Sequence, residues 1–63
     1  MTYIITLEHG GNRFYLTRTV TTTAIERATR YTSVEAAELA ITKAAKFHKK
    51  TTVRAMTVIE DKS

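Results

Sequence analysis

The chain has 63 residues and no cysteine, and its 10 Lys and Arg against 6 Asp and Glu give a formal net charge of +4. This length corresponds to one domain, and without cysteine neither a disulfide framework nor a thiolate metal site can stabilise it, which is typical of a reducing compartment. No basic segment leads into an apolar run and no apolar stretch approaches about 20 residues, so we expect a cytoplasmic protein without a membrane span.

Two adjacent glycines separate two segments of alternating apolar and polar residues, 2–8 and 13–18. Because glycine adopts a positive φ without a Cβ clash, Gly10 and Gly11 can occupy both central positions of a two-residue hairpin turn. We therefore predict a β-hairpin with a well-specified register, since a shift by one residue would mix the two faces. The predicted pairs are Tyr3 with Arg18, Ile5 with Leu16 and Leu7 with Phe14 on one face, and Thr6 with Tyr15 and Glu8 with Arg13 on the other.

Threonines crowd the segment 19–23, around Val20. Their branched side chains and hydroxyl groups favour extended or turn backbone, so we predict a connection at 21–23. A short helical turn or an irregular strand follows, with Ala28 and Tyr31 as the residues that face inward. This segment supplies a short third element of the fold.

A helix start follows directly. Thr32 can act as the N-cap of a capping box with Glu35 at its third position, or Ser33 can act as a simple N-cap one residue later. Residues placed at 100° steps separate into an apolar and a polar half, which predicts an amphipathic helix from about Ser33 to about Lys49.

The buried stripe of this helix is mostly alanine, which lets the helix backbone lie close to a sheet. Ile41 and Phe47 are expected to supply most of the apolar volume, whereas Leu39 falls on the polar side. An exposed leucine is common, although Leu39 could also anchor a partner.

The run 53–60 is rich in residues that favour strands and is ended by Asp61-Lys62-Ser63. Alternation leaves two orientations open because both residue sets are partly apolar. We favour the one that directs Arg54 and Glu60 to solvent and turns Val53, Ala55, Thr57 and Ile59 toward the helix. The predicted fold class is α+β, a single ββ(β)αβ domain over residues 1–63: a small antiparallel sheet of hairpin, short third element and C-terminal strand, with one helix packed on one face.

One helix can cover only one face of this sheet, so the other face, called the open face below, is left available. On the favoured orientation it carries the residues of a predicted protein-binding surface: Arg13, Tyr15, Arg54 and Met56. The alternative is an ordinary solvated sheet, because strands favour branched and aromatic residues even where they are exposed.

A second candidate surface is basic. Lys43, Lys46, Lys49 and Lys50, followed by Arg54, form a stretch without an acid, which would attract nucleic acid or an acidic protein. The alternative is that these lysines only complement the negative end of the helix dipole. An RNA-binding sheet would also carry several exposed aromatic residues, and the predicted open face has only one.

Catalytic chemistry finds no support in the sequence. The only serines, Ser33 and Ser63, have structural or terminal positions, and neither His9 nor His48 has a carboxylate at a spacing that would orient it. Two histidines do not make a zinc site, and the glycine pair lacks the strand-to-helix context of a phosphate loop. We therefore expect no enzyme, no metal and no cofactor.

Four features in a fixed order carry a resemblance. The strand Arg13-Phe14-Tyr15-Leu16-Thr17, the spacing of Ala28 and Tyr31, the helix start Ser33-Val34-Glu35-Ala36-Ala37 and a closing strand resemble small uncharacterised proteins of bacteriophages and prophages. Phe14 stands where that pattern often has tyrosine. The resemblance implies a phage accessory protein in the host cytoplasm; that group includes inhibitors of host defence, anti-CRISPR proteins among them, and small regulators.

These observations leave two functions. The first is a non-catalytic module that binds and inhibits a host protein or ribonucleoprotein complex through the open face or the basic helix end. The second is a small nucleic-acid-binding regulator that uses the lysines and Arg54. A homodimer that buries Leu39 or the open face is a further possibility, whereas a membrane partner is not expected.

Overall fold

A computed structural model describes residues 1–61 of the chain. The sheet is antiparallel with the strand order β3-β2-β1-β4, which confirms the predicted α+β class and adds a second, short helix. The elements in chain order are β1 (Thr2–His9), β2 (Asn12–Thr17), β3 (Val20–Thr22), a 3₁₀ turn (Ile25–Arg27), α1 (Val34–Ala44), α2 (Lys50–Ala55) and β4 (Thr57–Asp61).

The two glycines turn the chain between β1 and β2 as predicted. Both have positive φ, 59° at Gly10 and 82° at Gly11, in the region where a side chain would be strained. The register that follows runs from His9 opposite Asn12 to Thr6 opposite Tyr15, so the predicted pairs of Leu7 with Phe14, Glu8 with Arg13 and Thr6 with Tyr15 are confirmed.

Beyond these pairs β1 and β2 part, and the segment 29–31 enters between them. Tyr3 exchanges both backbone hydrogen bonds with Tyr31, at 2.9 and 2.8 Å, and the Thr29 amide donates to the Leu16 carbonyl at 3.2 Å. The predicted opposition of Tyr3 to Arg18 is therefore wrong. Arg18 instead turns the chain at a φ of 58° and donates its amide to the Thr29 hydroxyl.

The threonine-rich segment forms a strand rather than the predicted connection. The turn comes earlier, at residues 18–19, and Val20–Thr22 pairs with the end of β2. The short helical turn that was one of the two alternatives is the 3₁₀ turn, and Ala28 is buried and Tyr31 packs against the core, as expected.

Helix α1 begins where its cap predicts. The Ser33 hydroxyl accepts a hydrogen bond from the Ala36 amide at 3.1 Å, which decides for Ser33 over Thr32 as the N-cap. The helix ends at Ala44, however, rather than at about Lys49. The lysines that follow recur at three- and four-residue spacing, where like charges destabilise a continuing helix.

The final strand is shorter than predicted and has the opposite orientation. Residues 53–55 belong to α2, and β4 starts at Thr57. Val58 lies opposite Ile5 and Ile59 opposite Ile4, which turns Val58 toward the helices and Ile59 away from them. The favoured orientation is wrong because the short helix α2 delivers Met56, rather than a strand residue, into the core. The predicted stop at Lys62-Ser63 lies outside the described residues.

The core lies between the sheet and α1 and α2. As predicted, alanines of α1 allow close approach to the sheet, with Ile41 packed against the cluster. Phe47 does not contribute, since it lies beyond the end of α1 and is 70% exposed, whereas Leu39 is exposed as expected. Within residues 1–61 no helix is long and apolar enough to span a membrane. The buried cluster comprises Ile5, Leu7, Leu16, Ala37, Ala44 and Met56.

Candidate functional site

The open face of the sheet is partly covered by the chain itself. Ile4 lies on this face, because it alternates with Ile5 and pairs with Ile59, and yet it is only 1% exposed. The covering segment is 24–30, whose 3₁₀ turn contacts β2. One end of the open face is therefore closed to a partner.

Arg30 fastens this covering segment. Its Nη1 donates to the Ala28 carbonyl at 2.7 Å and to two carbonyls of the 3₁₀ turn, and its Nε lies 2.9 Å from Asp61 Oδ2 on β4. The Asp61 side chain is 6% exposed and shares the face of Ile4. Because β1 lies between β2 and β4 in the sheet, the Arg30 side chain crosses over β1 and shields it.

The predicted protein-binding surface is not assembled as a whole. Arg13 and Tyr15 lie on the open face, as their pairing with Glu8 and Thr6 requires. Met56 does not, since it is 8% exposed inside the core, and Arg54 lies in α2 on the opposite side of the sheet. Both placements were wrong for one reason: each assumed that the last strand begins at residue 53.

The uncovered part of the open face includes a depression with a volume of about 390 Å³, lined among others by Thr6, Thr57 and Ile59. At its rim Arg13 Nη2 lies 3.1 Å from Glu8 Oε1. The hydrogen bond and the charge of Glu8 raise the pKa of the Arg13 guanidinium, so this cation already has an anionic partner within the chain.

The residues of the second predicted surface lie in one continuous stretch of the chain. We call residues 43–54 the basic segment; it covers the end of α1, the connection and α2. All five of its cations are exposed, and within residues 1–61 none of them forms an ion pair. Between Glu38 and Glu60 the chain has no acidic residue that could neutralise them. These cations are Lys43, Lys46, Lys49, Lys50 and Arg54.

The helix dipole explains only part of this charge. Lys43 and Arg54 lie in the last turns of α1 and α2, where cations are favourable. Lys49 is instead the N-cap of α2 and Lys50 its first residue, and this first turn contains no acid and no side-chain cap. Two cations at the positive end of a helix reduce its stability. The alternative interpretation, that the lysines serve only the helix, therefore fails for this pair.

The fold places Arg18, a sixth cation that the sequence analysis did not assign to this surface, next to a contact with the basic segment. The His48 ring places Nε2 2.6 Å from the Thr19 carbonyl, and because a carbonyl only accepts, Nε2 carries the proton. This bond holds the turn between β2 and β3 against the connection between α1 and α2. The backbone of this turn, which contains the exposed Arg18 next to Thr19, therefore lies beside the basic segment.

Phe47 is the second residue that the sequence analysis did not assign to this surface. It lies in the connection, with its amide bonded to the Ala44 carbonyl at 2.9 Å and its side chain 70% exposed. Two residues before it in the chain, Ala45 lines an open depression of about 320 Å³ together with Lys50, Val53 and Arg54. Apolar surface is thus set among cations. The exposure of Phe47 could have been predicted from the lysine spacing, because that spacing disfavours a helix that continues through Phe47.

The two histidines line the same pocket. His9 and His48 both line a pocket of about 220 Å³ whose apolar wall includes Leu7 and Phe14. Within residues 1–61 no three histidine or acidic side chains come together as a metal site would require. His48 is committed to the Thr19 carbonyl, so its role here is to hold the chain together.

Comparison with known proteins yields no assignment. No family model matches the chain, and no curated protein and no solved structure is significantly similar to it. The resemblance to phage accessory proteins therefore stays a prediction, and the function is argued from the surfaces described above.

Proposed function

We propose that the protein is a non-catalytic nucleic-acid-binding module that holds the phosphate backbone with the basic segment and Arg18. The observation that carries this proposal is the run of five exposed cations in the basic segment, none of which forms an ion pair within residues 1–61. Two of them, Lys49 and Lys50, lie at the start of α2, where the helix dipole does not account for them. A polyanionic ligand supplies the missing counter-charge.

The strength of such binding follows from counting phosphates. If three or four of the six cations each neutralise one phosphate of a duplex, the logarithm of the binding constant falls with the logarithm of salt concentration with a slope of about −3 to −4. Binding of this kind reads charge and backbone shape rather than sequence. The protein would therefore bind many sequences weakly at physiological salt and more tightly below it.

Fluorescence anisotropy with labelled oligonucleotides tests the proposal. Lys46→Gln combined with Lys50→Gln should weaken binding and flatten the salt slope by about two. The matched control is Arg13→Gln combined with Arg27→Gln, which also removes two exposed positive charges but lies outside the basic segment. This control should leave most of the affinity in place.

Two results would contradict the proposal. Equal losses in both double variants would show attraction by net charge without a defined surface. If neither single strands nor duplex bound at low salt, nucleic acid would be excluded as the ligand. An acidic protein surface would then be the favoured partner of the basic segment.

Inhibition of a host protein through the open face has less support, because that face keeps only Arg13 and Tyr15 of the four predicted contacts. This hypothesis stays a prediction with its own test. Tyr15→Ala should abolish capture of one stoichiometric host protein in a pull-down, and unchanged capture would remove the open face from consideration.

A further inference from the structure

We infer that Phe47 is a stacking platform that makes the basic segment prefer single-stranded nucleic acid to duplex. The inference rests on the proposed function and adds the class of nucleic acid. It starts from the exposure of Phe47, whose side chain is 70% exposed although the core of this small domain contains few large apolar residues. Leaving Phe47 in water forgoes apolar burial that a domain of this size needs.

The surroundings of Phe47 identify its ligand. Lys46 and Lys49 flank it within two positions in the chain, and Lys50 follows. A lone exposed aromatic residue among acids or amides would fit many protein partners. Phe47 has cations on both sides in the chain and no acid between Glu38 and Glu60, so it fits a ligand that carries anionic groups and flat apolar faces together. Phosphates with unpaired bases have this combination.

Duplex does not offer the same match. In a double helix the base faces are stacked on one another, and only base edges and phosphates are accessible from outside. Phe47 can therefore stack only on a base that is unpaired, whereas the lysines attract phosphates of either form. The aromatic ring therefore favours single strands, whereas charge alone favours the duplex with its denser phosphates.

A second apolar surface belongs to the same segment of the chain. Ala45 and Val53 form the apolar part of the depression that Lys50 and Arg54 flank. Ala45 is two residues before Phe47 in the chain, so both apolar surfaces belong to the basic segment. On the inferred binding mode, a single strand that follows the basic segment places bases on both surfaces.

The test compares three probes of equal length: an oligo-dT strand, the same strand with abasic sites in place of the bases, and a duplex. The wild-type protein should bind oligo-dT more tightly than either the abasic strand or the duplex. Phe47→Ala should lower the affinity for oligo-dT by about fivefold or more, the effect of losing one stacked base, and leave binding to the abasic strand and the duplex unchanged.

Two further variants separate stacking from other effects. Phe47→Leu keeps an apolar side chain and should lose most of the preference, whereas Phe47→Trp should keep or increase it. Leu39→Ala is the matched control, because Leu39 is also exposed, at 57%, and lies on α1 outside the basic segment. It should bind all three probes like the wild type.

The outcomes distinguish this inference from the proposed function. The stacking role is overturned, while binding by the lysines stands, if the wild type binds oligo-dT no more tightly than the abasic strand or the duplex, or if Phe47→Ala keeps the preference. Failure of the wild type to bind any of the three probes at low salt overturns both.

Discussion

Truncation of Met56 to alanine should remove a large part of the stability of this domain. Met56 is 8% exposed and packs in the core with Ile5 and Leu16. Loss of its three outer atoms forfeits roughly 2 kcal/mol of transfer free energy at about 0.8 kcal/mol per methylene group. The cavity left behind brings the expected cost to about 2–5 kcal/mol. A domain of this size has a free energy of unfolding of only roughly 3–9 kcal/mol.

Phe47→Ala is the matched comparison, because the sequence patterns predict the opposite at both positions. Helical periodicity predicts that Phe47 is buried, and strand alternation predicts that Met56 is exposed. With its side chain 70% exposed, Phe47 should be removable at a cost within about 0.5 kcal/mol. Urea unfolding followed by far-ultraviolet circular dichroism measures both, and Met56→Leu, which conserves volume, should cost less than about 1.5 kcal/mol. If Phe47→Ala costs as much as Met56→Ala, the break between α1 and α2 does not exist and the reasoning fails.

Three further predictions concern charges and the covering segment. Arg30→Gln should lower the free energy of unfolding by about 1–2 kcal/mol, since hydrogen bonds of a charged, partly buried group are lost, whereas the exposed Arg27→Gln should change it by less than about 0.5 kcal/mol. Burial raises the pKa of Tyr31, so above about pH 10 the unfolded chain loses this proton before the folded chain does, and the free energy of unfolding falls. Tyr31→Phe should flatten that fall in urea titrations at pH 9–11. An unchanged dependence on pH would contradict the assignment. Lys50→Glu should raise stability by about 0.3–1 kcal/mol, because it places an acid at the start of α2, and should weaken oligonucleotide binding at the same time. A loss of both stability and binding would refute the electrostatic argument.

The parts of the fold that follow from local rules were predictable from the sequence. Gly10 and Gly11 fix the turn by their access to positive φ, and alternation on either side then fixes the register. Ser33 caps α1 with a side-chain hydrogen bond that spans only three residues. In each case the stabilising groups are neighbours in the chain, so their pattern is visible in the sequence.

The errors arise where a helix stops or where distant segments meet. The 100° pattern assigns Phe47 to the core only if α1 continues, and the same assumption starts the last strand at residue 53 and places Met56 on the open face. The bonds of Tyr3 with Tyr31 join segments that no local pattern connects. Long-range pairing of this kind depends on the packing of the whole chain.

The candidate site divides in the same way. The lysines were predicted because charge runs are visible in the sequence, and their exposure agrees. Arg18 lies beside the basic segment because the His48 ring bonds to the carbonyl of its neighbour Thr19, a contact that spans 29 residues. Phe47 reaches it only because α1 ends early. A binding surface built from several segments needs the fold before all its members can be named.

Amide chemical-shift mapping by NMR tests the central claim most directly. Oligo-dT is titrated into the ¹⁵N-labelled protein at low salt, and shifts are assigned along the chain. The account predicts that the largest shifts fall in the basic segment and at Arg18, while Glu8, Arg13 and Tyr15 on the open face stay in place. Shifts concentrated on the open face, or none at all, would contradict it.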